Sequence, residues 1–421
     1  MNRAPPHLQA SRGTLRIGGI TATELARAYG TPLYVTDLDR VAERYDAAFG
    51  TIRGLHENSL IAYAYKANSS KDVVRVLSGL GAGATIVSLS GLALATECGV
   101  DRKNTIFDGP SKSRDELDTA VASGVGMINV ESTQELADIE SVCREQGTDE
   151  TRVGIRVNFG IRADTHSGLA TGTREGKFGI PEEEIVRFLR TQGKKLRHAR
   201  IAGLHSHVGS QITDMKVFRM LTQRMVNLAD NMRRIGDWEI DEFNLGGGLG
   251  VDYEGHSAAG FEGYAEATAG TFESLRRRSH GGGSRLVFEL GRSLVADSTI
   301  LLTKVNYLKK AGNTRWALVD AGMNDFIRPA LYGAYHSIVP AVVRRGTPSR
   351  VAYSFGGPVC ESTDAFGTAR RLGVSLAQGD IVAILDAGAY GISMASHYNM
   401  RELPAVAAVS HGTHWLSESR A

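Results

Sequence analysis

The feature that most constrains this chain is a repeated alternation. Short runs of β-branched and apolar residues at 60–65, 84–88, 105–108, 127–130, 153–158, 201–205, 242–245 and 286–289 recur along it. They are separated by segments such as 71–80, 114–123, 133–145 and 182–190, whose apolar residues fall on one helical face. Strands that are apolar throughout must be covered on both faces, which is the condition of a parallel sheet wrapped by helices. Eight of them match a closed (β/α)8 barrel of TIM type at about its usual 250 residues. An open doubly wound sheet is the competing arrangement, and only the count of eight favours closure.

Ahead of the alternation, the turn Gly30-Thr31-Pro32 feeds a strand at Leu33-Tyr34-Val35, and helical spacing follows over 37–49. Beyond Arg292 the long helices stop. Strand-like runs at 301–308, 316–319, 337–343, 350–355 and 381–385 predict a second, mainly β domain. The expected division is a barrel over 39–284 and a C-terminal β domain over 285–421, with the boundary at Gly281-Gly282-Gly283, although that tract reads equally as the loop before the eighth strand. Residues 402–421 carry no functional signal.

Charge excludes several classes of partner. Lys and Arg number 48 against 46 Asp and Glu, so a net charge of +2 gives no field for nucleic acid or an anionic membrane, and a small-molecule substrate is expected. No apolar run approaches the roughly 18 residues of a membrane span, and the start MNRAPPHLQASRG lacks the apolar stretch of a signal peptide. Three cysteines, Cys98, Cys143 and Cys360, are too few and scattered for a disulfide framework or a zinc set, and they suit a reducing, cytoplasmic setting.

In a barrel enzyme the loops after the C-terminal strand ends form the site, so polar residues there are the candidates. Lys66 closes the first strand in Tyr63-Ala64-Tyr65-Lys66-Ala67-Asn68. A lysine there is often only the chain reaching solvent, but a desolvated one has a lowered pKa and forms Schiff bases. His207 follows the sixth strand in His205-Ser206-His207-Val208-Gly209-Ser210-Gln211. It reads equally as a satisfied loop histidine. The spacing of His205 and His207 invites a metal reading, but no matching carboxylate or cysteine set accompanies them, so no metal is expected. Gly246-Gly247-Gly248-Leu249-Gly250 follows the seventh strand and Gly291-Arg292-Ser293 the eighth, where barrels commonly bind phosphate through backbone N–H groups. Glu289 ends the eighth strand as a carboxylate that is costly to bury without a cationic or N–H partner. A phosphate-bearing cofactor with an aldehyde for Lys66 and a protonatable ring nitrogen for Glu289 accounts for all three.

These stretches form a series that resembles the diaminopimelate decarboxylase family. It comprises Tyr65-Lys66-Ala67-Asn68, His207-Val208-Gly209-Ser210-Gln211, the 246–250 loop, Gly291-Arg292-Ser293, and Val319-Asp320-Ala321-Gly322-Met323-Asn324-Asp325. It continues through Ile327-Arg328-Pro329-Ala330-Leu331-Tyr332, Gly357-Pro358-Val359-Cys360-Glu361-Ser362 and Asp386-Ala387-Gly388-Ala389-Tyr390-Gly391, so that it spans about residues 30 to 405 in order. The resemblance implies a fold type III architecture, an alanine-racemase-like barrel binding pyridoxal 5'-phosphate plus a C-terminal β domain to which residues 1–38 contribute.

By that resemblance Lys66 forms the internal aldimine, His207 stacks on the pyridine ring and Glu289 pairs with the ring nitrogen. Ser210, Gly247, Gly248 and the backbone of Gly291 and Arg292 hold the phosphate, with Tyr390 closing over it and Arg156 near the ring. Cys360 resembles the residue that delivers the proton after carbon dioxide leaves, and with Glu361 it enters the site of a partner subunit in a homodimer. Arg292, Arg328 and Tyr332 bind the distal carboxylate of the substrate, and Glu361 its distal ammonium.

Three positions depart from the family pattern. Leu290 stands where proline is usual, which loosens the turn but leaves the phosphate donors. Thr85 replaces an aspartate and Gly91 a glutamate, both belonging near the cofactor. The implied reaction is decarboxylation of meso-2,6-diaminopimelate to L-lysine. The departures keep open a related diamino acid as substrate. A racemase would not need the Cys360-Glu361 and Arg328 to Tyr332 sets, and a non-catalytic pyridoxal-phosphate carrier would not need Cys360.

Overall fold

The computed structural model describes residues 8, 10–11, 13–161, 175–236, 238–254, 260–276, 283–343 and 350–418. Eight parallel strands close into a barrel: Ser59–Ala64, Gly83–Ile86, Thr105–Phe107, Met127–Val130, Thr151–Asn158, Ala199–His205, Glu242–Asn244 and Arg285–Phe288. Closure is direct, because the eighth strand pairs with the first through Leu286 beside Ser59 and the fourth pairs with the fifth through Ile128 beside Val153. The open doubly wound alternative is thereby excluded. The lumen is a packed core of Leu60, Ala62, Ile106, Met127, Ala202 and Val287. A second apolar layer lies between strands and helices, which is why the strands are apolar on both faces.

Local chemistry starts and stops the helices. Asp37, Ser88, Ser113 and Ser132 each cap a helix by accepting a backbone N–H of its first turn, and Ser113 and Glu116 form a reciprocal capping box. Gly124 and Gly147 take the left-handed conformation that ends the helices Arg114–Ser123 and Thr133–Gln146.

The expected barrel boundary at 284 is corrected. Arg285–Phe288 is the closing barrel strand, so Gly283 leads into the barrel rather than out of it; Gly281 and Gly282 lie outside the described residues. The remaining strands build a second sheet. At its centre Leu33–Asp37 runs antiparallel to Thr299–Ala311 and parallel to Ala405–Ser410. The N-terminal strand is therefore sewn between two C-terminal ones, with apolar clusters on both faces of the sheet. Strands Ala365–Arg371, Ala405–Ser410 and Thr413–Glu418 went unread in the sequence; the last two form a hairpin, which is the structural part taken by residues after 402.

Candidate active site

The C-terminal ends of the barrel strands open onto a cavity of about 350 Å³. Lys66, Arg156, His207, Ser210, Arg292, Arg328, Tyr332 and Tyr390 all line it, although they come from six separate stretches of the chain. Lys66 sits in the turn just past the first strand, exposed to the cavity while Ala67 and Asn68 behind it are buried. The glycine loop 246–250 packs against the lining residue His207. Gly248 holds φ of +100°, and a Cβ there would fall 2.2 Å from the Gly209 carbonyl oxygen; one on Gly247 would fall 2.2 Å from that of Glu289. Only glycine lets these strand-end loops pass so closely. The Gly247 N–H donates to His207 Nδ1 at 3.2 Å, which fixes that nitrogen as the unprotonated one. Burial, helped by Lys66 and Arg156, holds His207 well below the usual imidazole range, so the ring is neutral.

Beneath the cavity lies an ionic triad. Glu289 is buried and accepts from Asn244 Nδ2 at 2.8 Å. His205, fully buried, places Nε2 3.3 Å from Glu289 Oε2 and Nδ1 4.0 Å from Asp108 Oδ1. Neither ring nitrogen meets hydrogen-bond geometry among the described residues, so the attraction is ionic. Burial alone would raise the Glu289 carboxyl, but His205, Lys66 and Asn244 outweigh it and hold it below the usual carboxylate range. Asp108 is shifted the other way, by burial and by Glu289 facing it. His205 itself is raised: burial opposes its charge, and the two carboxylates overcome that. The premise that no carboxylate accompanies these histidines is corrected here, although it was only the ground for expecting no metal. His205 does meet carboxylates, since Asp108, His205 and Glu289 place ligand-type atoms within 4.8 Å of one another, while His207 takes no part.

Arg156 lies two residues before the end of the fifth strand, pairs with Glu131 at 2.5 Å and stacks on Phe178. Arg292 follows the eighth strand; its guanidinium donates to Ser210 Oγ at 2.9 Å and to Tyr253 Oη at 3.0 Å and lies over the Tyr390 ring. Tyr390 holds φ of +57° while its N–H donates to the Ala67 carbonyl, so the strained residue is tied to the Lys66 turn. Arg328 is 3% exposed and forms no ion pair with any described residue. Asp325, three residues earlier, accepts from the Gly322 N–H and the Asn324 side chain and does not pair with Arg328.

Cys360 and Glu361 are not brought to Lys66. Both are exposed and outside the cavity lining, with the Cys360 N–H donating to Asn399 Oδ1 and Glu361 accepting from Tyr398 Oη. Leu290 is buried and its carbonyl accepts from the Ala64 N–H, so the turn is held without proline. Thr85 bonds back to Ala62 and Gly91 lies in the first turn of Leu89–Glu97; neither lines the cavity. Asp108, Glu131, Tyr253, Phe178 and His336 went unnoticed in the sequence. The rule that selected Lys66 and Glu289, a polar residue just past an apolar strand, also selects Asp108 and Glu131.

A lysine at a barrel strand end, glycine-rich strand-end loops and a buried carboxylate held as an anion form the constellation of a pyridoxal-phosphate enzyme on an alanine-racemase-like barrel. Residues 36–296 match the family model of the pyridoxal-binding domain of pyridoxal-dependent decarboxylases. The chain is 36% identical to the diaminopimelate decarboxylase of Aquifex aeolicus, over 99% of this chain and 95% of the relative. With that of Archaeoglobus fulgidus it shares 38%, over 96% and 94%. The crystal structure of the M. jannaschii diaminopimelate decarboxylase in complex with L-lysine superimposes with a TM-score of 0.92 at 34% identity, covering 99% of this chain and 95% of that one. The chain belongs to the diaminopimelate decarboxylase family.

Proposed function

We propose that the protein uses pyridoxal phosphate to decarboxylate the D-configured centre of meso-2,6-diaminopimelate, giving L-lysine. One observation carries the substrate assignment: Arg292 and Arg328, both buried, line the same cavity as Lys66 without an ion-pair partner among the described residues. Buried guanidinium groups without a protein anion suit an anionic ligand, and a planar fork matches a carboxylate with two parallel hydrogen bonds.

Bound pyridoxal phosphate supplies an electron sink for the pair released with carbon dioxide. The residues fit it. Lys66 would hold the cofactor through its aldehyde, Glu289 as carboxylate would hold the ring-nitrogen proton, and neutral His207 would cover the ring without adding a competing charge. Ser210 and the backbone of Gly247, Gly248, Gly291 and Arg292 receive the phosphate, Tyr390 closes over it and Arg156 borders the ring. Arg292, Arg328 and Tyr332 hold the distal carboxylate that survives in the product. Cys360 delivers the proton that replaces the lost carboxylate, and Glu361 takes the distal ammonium.

Because Cys360 and Glu361 stand exposed outside their own chain's cavity, they serve the site of a partner subunit in a homodimer. In this reading the barrel domain runs from 39 past the closing strand Arg285–Phe288, with residues 1–38 and the C-terminal remainder forming the β domain. A cytoplasmic setting accords with three cysteines in no disulfide. No described helix is long and apolar enough to cross a membrane.

A second reading keeps the chemistry and changes the diamino acid. It is favoured by Val87, Pro110 and Met394, which make part of the cavity wall apolar; Thr85 and Gly91, which depart from the family pattern, lie outside that lining. Carbon dioxide release across a panel of diamino acids tests both. A preference for meso-diaminopimelate over D-lysine, which keeps the reacting centre and lacks only the distal carboxylate, by roughly 10⁴ is expected of a site built for a second carboxylate. Preference for another member of the panel would establish the second reading.

A further inference from the structure

We infer that His336 is a positioning residue for substrate selectivity: it holds the Arg328 guanidinium in the orientation that receives the distal carboxylate. The inference rests on the reading of Arg328 given above. His336 is fully buried, eight residues beyond Arg328, past the short helix Arg328–Tyr332. Its Nδ1 lies 2.9 Å from the Leu385 carbonyl oxygen. A carbonyl only accepts, so Nδ1 carries the proton and Nε2 presents a lone pair. That lone pair accepts from Arg328 Nε at 3.4 Å.

The consequence is geometric. With Nε engaged from behind, the two terminal nitrogens of the fork remain for a ligand, and the rotation of the guanidinium plane is set by a ring that cannot turn. The ring is itself clamped, with edge contacts to Phe326 at 4.6 Å and Tyr253 at 4.9 Å between centroids. Tyr253 also accepts from Arg292 and lies under Arg328, so one tyrosine spaces the two arginines. Burial, with Arg328 adding to it, pushes His336 down to about 3, so its acceptor role persists throughout the working pH range. A protonated ring would face Arg328 with a donor and like charge.

The inference separates ligands by one group. L-lysine retains the distal carboxylate, whereas 1,5-diaminopentane has the same chain and amines without it. Dissociation constants of both for the pyridoxal-phosphate-loaded enzyme are measured by spectral titration in wild type, His336→Leu, His336→Gln and Arg328→Ala, with thermal unfolding checked for each. His336→Leu should weaken L-lysine by about 10-fold, the value of a lost hydrogen bond to a charged group, and leave 1,5-diaminopentane within about twofold. His336→Gln, whose side-chain oxygen can replace the Nε2 acceptor, should recover most of the difference. Equal weakening of both ligands, or an unchanged ratio in His336→Leu, overturns the inference. If Arg328→Ala also leaves the ratio unchanged, the carboxylate reading of Arg328 has failed first; if Arg328→Ala collapses it while His336→Leu does not, only the role of His336 has failed.

Discussion

His205 Nε2 lies 3.3 Å from Glu289 Oε2, and its other nitrogen faces Asp108 at 4.0 Å, all three groups being buried. Removing the imidazole leaves two buried carboxylates facing each other. His205→Leu should therefore destabilise the cofactor-free protein by about 3–5 kcal/mol at neutral pH, and adding Glu289→Gln should recover part of the loss. The pH dependence follows from the shifts. His205 is raised, so its contribution is complete below about pH 6.5 and is lost as pH climbs through its folded value. Glu289 is lowered, so its contribution is present above about pH 4.3 and is lost as pH falls through its folded value. Urea unfolding across pH should show the largest wild-type advantage between about pH 4.5 and 6.5. A flat difference would mean that the triad carries no charge pairing.

Gly248→Ala tests the phosphate loop. The position has φ of +100°, and the added methyl would fall 2.2 Å from the Gly209 carbonyl oxygen and 3.5 Å from His207 Cε1. The loop must shift, carrying its N–H groups with it, at a cost of about 1–3 kcal/mol. Equilibrium dialysis should show pyridoxal phosphate bound at least ~10-fold more weakly. Retention at the wild-type level would remove this loop from the phosphate site.

Lys66 lines the cavity together with Lys177, and only Lys66 closes a barrel strand. Borohydride reduction of the loaded protein followed by peptide mapping should find the pyridoxyl group on Lys66, and Lys66→Ala should yield none. A label on another lysine would dissolve the site as assigned.

The eight barrel strands were legible because burial on both faces makes each a continuous apolar run, and Lys66 and Glu289 were legible because they interrupt such runs at the end that matters. The hairpin Ala405–Ser410 with Thr413–Glu418 was not: its first strand, AVAAVS, is half alanine, which has little strand preference. It forms because Leu33–Asp37 offers it a partner from the other end of the chain. His336 gave no signal either. Its meaning depends on Leu385, 49 residues away, choosing its tautomer. Tyr253 likewise acquires its role only when the fold brings Arg292 and Arg328 to it. Cys360 and Glu361 were found through the motif series, yet a single chain shows only their exposure.

That exposure sets a complementation experiment. Lys66→Ala and Cys360→Ala chains should each be inactive. After subunit exchange, half of a random mixture is heterodimer, and each heterodimer pairs an intact Lys66 with an intact Cys360 at one of its two sites. Activity should return to about a quarter of wild type. No recovery, with exchange confirmed by mass spectrometry of tagged chains, would place both residues in one chain's site.

The substrate assignment turns on Arg328. It is 3% exposed, close to Tyr253 and Tyr332, with His336 behind it and no acid paired to it among the described residues. Burial pulls its guanidinium below the usual arginine range, a cost that the fold sustains without an anion of its own. A substrate carboxylate relieves that cost and gains charge-assisted hydrogen bonds, so the arginine should matter in the transition state and in the ground state alike. Arg328→Ala should lower kcat/KM for meso-diaminopimelate by at least ~100-fold, about 3 kcal/mol, while Lys66 still takes the cofactor. Arg328→Lys should recover little, because a point charge cannot reproduce the fork. The same substitution should leave the weak turnover of D-lysine, which has the D-configured reacting centre but lacks a distal carboxylate, nearly unchanged. Equal losses on both substrates would reduce Arg328 to a structural residue, and undiminished turnover of meso-diaminopimelate would move the assignment to another diamino acid.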